Sequence, residues 1–276
     1  MVTSASADTQ TRWLDLPDGR LAYDDTGGPD RLAVCVPGLG DLRQQYRHLR
    51  PLLVRVGVRV VTMDLRGMGE SSVDWPSYSP ADVGADIVAL IRYLGAPSAY
   101  IIGNSMAGGS AVWAATEIPN RITGLFLIDP FVSQDEAPSL PKQILMHALL
   151  QRPWGPTVWR MYYKSLYRSA PPADLNHYAD TLKENLDEPG RFEALKVMLS
   201  ASQAPCAARI GRVRAPVLVM MGADDPDFSD PRAQAETVAR RLHGKVFIVD
   251  AAGHYPHVEY PQMVASEIAK CIRAAS

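Results

Sequence analysis

Four apolar runs, RLAVCVP, VRVVTMD, AYIIGN and ITGLFLID, punctuate the first half of the chain, and two more, APVLVMMG and KVFIVD, lie near its end. Each is continuous rather than alternating, the pattern of strands buried on both faces of a parallel sheet. Between them lie stretches of helical patterning: QQYRHLRPLLVRVG, SPADVGADIVALIRYLGA, MAGGSAVWAATEIPN, DPRAQAETVARRLHG and YPQMVASEIAKCIRAA. The second carries stop signals at both ends, Ser79-Pro80 as a cap and Gly95 as a terminator. This alternation predicts repeated βαβ units and an α/β fold. Two shorter β-like pieces, Arg12–Leu16 and Leu21–Asp25, flank the turn-forming PDGR and predict a hairpin, which brings the expected sheet to eight strands.

From about Phe131 to Ala204 the rhythm breaks. This segment has no strand-like run, only helical patterns such as PKQILMHALLQRPW and PTVWRMYYKSLY, separated by SAPPAD and DEPG. The expected layout is a core domain of residues 1–130 and 205–276. A helical insertion, 131–204, lies as a cap over the carboxyl edge of the sheet, where open α/β sheets bind ligands. A plain packing layer without substrate contact is the alternative.

Composition narrows the partners. A formal charge of −2 over 276 residues supplies no electrostatic attraction for nucleic acid or an anionic membrane. No stretch approaches the roughly 18 apolar residues of a membrane span, and MVTSASADTQTR has no apolar signal-peptide segment. Cys35, Cys206 and Cys271 are odd in number and widely spaced, which suits reduced thiols rather than a disulfide frame or zinc site. A cytoplasmic monomer or homodimer acting on a small neutral or weakly charged molecule is the expectation.

The chemistry centres on GNSMA. Ser105 follows the strand AYII and precedes a helix, with Gly103 two residues before it and Ala107 two after, one residue away from GxSxG. A nucleophile on such a turn sits in a strained backbone conformation, and its neighbours must be small for strand and helix to approach. The helix N-terminus directs free N–H groups at the same point, where an oxyanion would develop. An ordinary N-cap would explain the serine but not the glycines.

A serine hydroxyl needs a base, and that base an orienting acid. His254, in the loop GHYPH after the last strand, is the candidate base, and His257 is read as structural or capping. The acid is expected after the preceding strand, where GADDPDFSDP offers Asp224, Asp225 and Asp227. Asp225 is preferred, and Asp129, after ITGLFLID, competes. No two histidines stand at ligand spacing on one helix beside a suitable carboxylate, so no metal is expected. VPGLGDLR places GxG after a strand, but Arg43 occupies the third glycine position of a dinucleotide fingerprint, so no cofactor is expected either.

The order Ser, Asp, His, with GNSMAG, DLRGMGESS, GADDP and GHYPHVEYP, resembles the α/β-hydrolase fold superfamily from about residue 19 to 273. The resemblance is to serine-nucleophile esterases and to C–C bond hydrolases with a helical cap. It implies Leu39 and Met106 as backbone donors of an oxyanion hole. Pro37 stands where the family usually has histidine, which removes a loop-bracing hydrogen bond but no donor. Gly38, Asn104, Trp154 and Trp159 are the candidate substrate contacts. The implied activity is hydrolysis of an ester or lactone of a small hydrophobic substrate. C–C bond hydrolysis of ring-fission products ranks second, and a small-ligand receptor that retains the triad third.

Overall fold

A computed structural model describes residues 10–28, 31–132 and 148–274. The expected hairpin is β1 (Arg12–Leu16) and β2 (Gly19–Asp25), antiparallel to each other. The core strands are β3 (Leu32–Val36), β4 (Arg59–Met63), β5 (Ala99–Asn104), β6 (Ile122–Ile128), β7 (Val217–Gly222) and β8 (Lys245–Val249). All eight join one sheet in the order β1-β2-β4-β3-β5-β6-β7-β8. β2 meets β4 antiparallel, and every later pairing is parallel.

The continuous apolar runs follow from the two cores they serve. On one face Val34, Ile101, Leu127 and Val219 pack with Val83, Ile87 and Leu90 of α2 (Pro80–Tyr93) and Ala111 of α3 (Ala107–Glu117). On the other, Cys35, Ile102, Phe126 and Met220 meet Leu53 of α1 (Arg50–Arg55) and distant Ile268. Alternate residues of each strand thus face opposite cores, so both must be apolar. α2 begins where expected: Ser79 accepts from Asp82 N–H, and Asp82 accepts from Ser79 N–H at 2.8 Å, a reciprocal cap. All three cysteines are unpaired, with Cys35 and Cys206 buried.

The helix expected across Gln44–Gly57 is divided. Arg43–Arg47 forms a 3₁₀ turn, and the α-helix starts only at Arg50. Pro51 is the reason: it has no N–H to donate to the Arg47 carbonyl, and in a continuous helix its ring would strike that carbonyl.

Between β6 and β7 the chain forms α4 (Gly155–Ser165), α5 (Leu175–Asp187), α6 (Arg191–Leu199) and the short α7 (Ala204–Ala207). The helical pattern expected at 141–147 lies outside the described residues. A third apolar cluster joins Tyr163, Leu166, Tyr178 and Leu182 of this insertion to Leu42, Tyr255 and Val258. The insertion therefore rests on the loops that leave β3 and β8. The chain closes with α8 (Pro231–Arg241), the short α9 (Pro256–Glu259) and α10 (Pro261–Ala274). Among the described residues no helix is long and apolar enough to cross a membrane.

His257, on α9, is fully buried, and neither ring nitrogen has a hydrogen-bond partner among the described residues. Its ring lies 5.2 Å from that of Tyr46. Burial, helped by His254, Arg47 and His48, pushes its imidazole down to about 3 from an ordinary 6.5. Below pH 6.5 the unfolded chain binds a proton that the folded chain refuses, so stability falls with pH through this window. Between pH 6.5 and 5 the loss should approach about 2 kcal/mol. Urea unfolding of the parent and His257→Phe across that range checks this: the variant should show a flatter dependence on pH, and equal slopes would refute it.

Candidate active site

Ser105 is one residue beyond β5 and has φ 55°, a left-handed conformation rare for a non-glycine residue. Its N–H donates to Ile128 O at 2.9 Å, and its carbonyl accepts from Phe131 N–H at 3.0 Å and Gly108 N–H at 2.9 Å. The strained residue is thereby held on both sides. A Cβ at Gly103 would stand 2.7 Å from the Ala107 carbonyl, which explains why the residue before the elbow has no side chain. Gly38, in the loop after β3, packs so closely that a Cβ there would lie 3.1 Å from Ser105 Cβ. Leu39 therefore follows a residue seated against the serine. Neither Leu39 N–H nor Met106 N–H has an acceptor among the described residues.

His254 lies in the loop after β8 and is 2 % exposed. Its Nδ1 is 2.6 Å from Asp225 Oδ2. Asp225 follows β7, and its Oδ1 accepts from Asp227 N–H at 2.9 Å. An Nδ1–H directed at the carboxylate leaves Nε2 as the basic nitrogen. Burial alone would lower the His254 pKa, but Asp225, with Asp227 and Asp41 behind it, holds it above the ordinary value. Burial pulls the Asp225 pKa up, and His254, with the Asp227 N–H and Asp129, more than offsets this, so Asp225 stays below the usual carboxylate range.

Two residues tie this pair to the serine. Asn104, next to Ser105, donates from Nδ2 to Ile128 O at 3.1 Å and His254 O at 3.4 Å, and accepts from Gln45 Nε2 at 2.7 Å. Phe131, whose N–H binds the Ser105 carbonyl, has its ring centroid 6.2 Å from that of His254. Ser105, Asp225 and His254 thus share the carboxyl edge of the sheet. Asp129, the competing acid, is there too: ligand atoms of Asp129, Asp225 and His254 lie within 4.8 Å of one another. A metal between the latter two does not fit their spacing, because two ligands about 2.1 Å from a tetrahedral ion stand about 3.4 Å apart. Their 2.6 Å separation is that of a hydrogen bond.

The other candidates are distributed unevenly. Asn104 is fully buried, and its amide serves the three protein contacts above, so it acts as a brace. Trp159 is buried against the loop after β3, its Nε1 donating to Gly40 O at 3.2 Å. Trp154 is 54 % exposed just before α4.

Several contacts around the site were not anticipated from sequence. Phe131 and Phe228 stack at 4.7 Å, and Tyr162 of α4 donates to Asp227 at 2.7 Å. His254 N–H donates to Leu166 O at 2.9 Å, fixing the histidine to the insertion. Gly222 and Gly253 allow close backbone approaches: a Cβ at either would lie 2.0 Å from a carbonyl, of Gly253 and Leu166 respectively. Arg43, conspicuous in sequence only as a break in the glycine pattern, is buried and paired with Asp24, Asp64 and Glu70, which anchors the loop after β3. Phe131 and Phe228 carry a weak signal, each coming shortly after a strand, whereas Tyr162 lies within α4. The glycine contacts carry none, because their partners are distant in sequence.

The chain is similar to known proteins over most of its length. It is 29 % identical over 231 residues to the 2-hydroxy-6-oxo-6-phenylhexa-2,4-dienoate hydrolase of Comamonas testosteroni, covering 76 % of this chain and 77 % of that protein. It is 25 % identical over 206 residues to 3-oxoadipate enol-lactonase 2 of Acinetobacter baylyi, covering 74 % of each. Its fold is similar to that of an esterase from Exiguobacterium antarcticum, with a TM-score of 0.82 at 16 % identity, covering 96 % of this chain and 100 % of that one. A family model described as the alpha/beta hydrolase family matches residues 33–267. With that match spanning most of the chain and the eight-stranded sheet carrying Ser105 on its strand-to-helix turn, this protein belongs to the alpha/beta hydrolase family.

Proposed function

We propose that this protein is a serine hydrolase that cleaves a carboxylic ester or lactone of a small hydrophobic substrate through an acyl-enzyme on Ser105. The observation that carries this reading is the strained serine braced, through Asn104, to a histidine that holds a buried aspartate at 2.6 Å. His254 Nε2 takes the hydroxyl proton as Ser105 Oγ attacks the carbonyl carbon, and Asp225 stabilises the imidazolium. The Leu39 and Met106 N–H groups receive the oxyanion. His254 then protonates the leaving oxygen, and water, deprotonated by the same nitrogen, releases the acid.

The substrate class rests on the surroundings. The Phe131–Phe228 stack, with the Phe131 ring 6.2 Å from that of His254, offers aromatic surface beside the reacting groups. The helical insertion acts as a cap. Its contacts at Leu166 and Tyr162 hold the histidine and the acid loop, so it contributes to the site as well as covering it. C–C bond hydrolysis is the second reading, supported by the likeness to the Comamonas testosteroni dienoate hydrolase.

A panel of p-nitrophenyl esters, lactones and a ring-fission dienoate tests the reading. Neutral, apolar esters or lactones should give the highest kcat/KM. That value should fall on acidification through a midpoint above 6.5, because His254 must be neutral to act as base and Asp225 raises its pKa. Preference for the dienoate would support the second reading. Greatest efficiency with strongly charged substrates, or a flat acid limb, would refute the first.

A further inference from the structure

Asp129 has no part in the mechanism above, yet it is one of the most enclosed polar residues of the molecule. It is fully buried one residue beyond β6, with φ 44°, a strained conformation for a side chain of this kind. Its N–H donates to Met220 O at 2.8 Å, and its Oδ1 accepts from Gly222 N–H at 2.9 Å, so the backbone aims the carboxyl at the end of β7. Oδ2 has no donor among the described residues. The nearest chemistry is the Asp225–His254 pair, within 4.8 Å.

A buried carboxylate oxygen facing a second carboxylate without a donor between them is unfavourable on two counts, desolvation and like-charge repulsion. One proton resolves both. We infer that Asp129 carries a proton on Oδ2 and donates it in a hydrogen bond to the Asp225 carboxylate, making Asp129 a positioning residue for the acid that orients His254. This rests on the proposed hydrolase mechanism for its consequence, though not for the proton itself.

The charges agree. Burial first, and then Asp225, push Asp129 well above the usual carboxylate range, with Glu259 acting the same way. The groups facing the pair are His254 from the loop after β8, Asp227 from its own loop and Glu259 from α9. With Asp129 neutral, Asp225 accepts from three sides: His254 Nδ1, Asp227 N–H and Asp129. A carboxylate so held cannot rotate away from the imidazole.

The first test is infrared spectroscopy of the intact protein near pH 7. A component of the protonated-carboxyl carbonyl stretch should be present in the parent and lost in Asp129→Asn, beside any contribution from Asp41, which burial pushes up to about 7. No such band, or one unchanged in Asp129→Asn, would overturn the inference whatever the protein hydrolyses. The second test uses steady-state kinetics on the best substrate of the panel. Asp129→Asn keeps a donor toward Asp225 and an acceptor for Gly222 N–H, so its kcat should stay within about threefold of the parent. Asp129→Leu removes the donor and should lower kcat about ten- to a hundredfold, with KM changed less than about threefold. In an Asp225→Ala background the same Leu substitution should have no further effect on kcat. Equal damage from Asn and Leu, or a Leu effect that persists without Asp225, would show that Asp129 does not act through the acid. If neither the parent nor any variant hydrolyses the panel, the hydrolase reading fails while the infrared result still decides where the proton is.

Discussion

Ser105→Ala should lower kcat/KM on a p-nitrophenyl ester by about 10⁴-fold or more, equivalent to about 5 kcal/mol of transition-state stabilisation. On the proposed mechanism no acyl-enzyme forms without Oγ, and the oxyanion donors and substrate binding alone would support only residual turnover. The fold should be untouched. Among the described residues no hydrogen bond of the fold runs through the Ser105 hydroxyl, and the backbone bonds that hold the turn do not involve it. A fluorophosphonate probe should label the parent and not the variant. Parent-like hydrolysis by a correctly folded Ser105→Ala protein would remove the basis of the proposed mechanism.

Gly222→Ala should be the most damaging single methyl group near the site. Its Cβ would lie 2.0 Å from Gly253 O and 2.6 Å from Ala252 O, and both are backbone atoms with no rotamer to change. Either β7 or the histidine loop must move, and both movements disturb Gly222 N–H on Asp129 and the 2.6 Å contact between His254 and Asp225. Overpacking of this kind costs about 3 kcal/mol. A displacement of about 1 Å at the base reduces activity about a hundredfold. Gly211→Ala is the control, since a Cβ there meets nothing within 4 Å and its φ is not positive. Urea midpoints and kcat should separate the two variants widely. If Gly222→Ala matches Gly211→Ala in both, the close approach has no functional weight.

The strands of the sheet were legible because each is a local statement. A run such as AYIIGN must be apolar on both faces, and it is the strand whose residues divide between the two cores. The elbow was legible for a similar reason, since small residues around one serine are adjacent in the chain. The helix divided at Pro51 was a misreading of local chemistry: apolar spacing favoured continuity, and the missing N–H prevailed. Trp154 and Trp159 show a different limit. They are five residues apart with the same aromatic character, yet one is exposed and the other packs on Gly40, because only the path of the chain decides which side meets the core.

Fold class, the hairpin, the order of strands and helices, and the choice of candidate nucleophile, base and acid followed from covalent chemistry and short-range periodicity. These depend on neighbours within a few residues, so one sequence contains them. The bracing of Ser105 to His254 through Asn104, the burial of Arg43 among three carboxylates and the approach of Asp129 to Asp225 came from folding alone. Each joins residues tens of positions apart, and burial and protonation depend on what the completed fold packs around them.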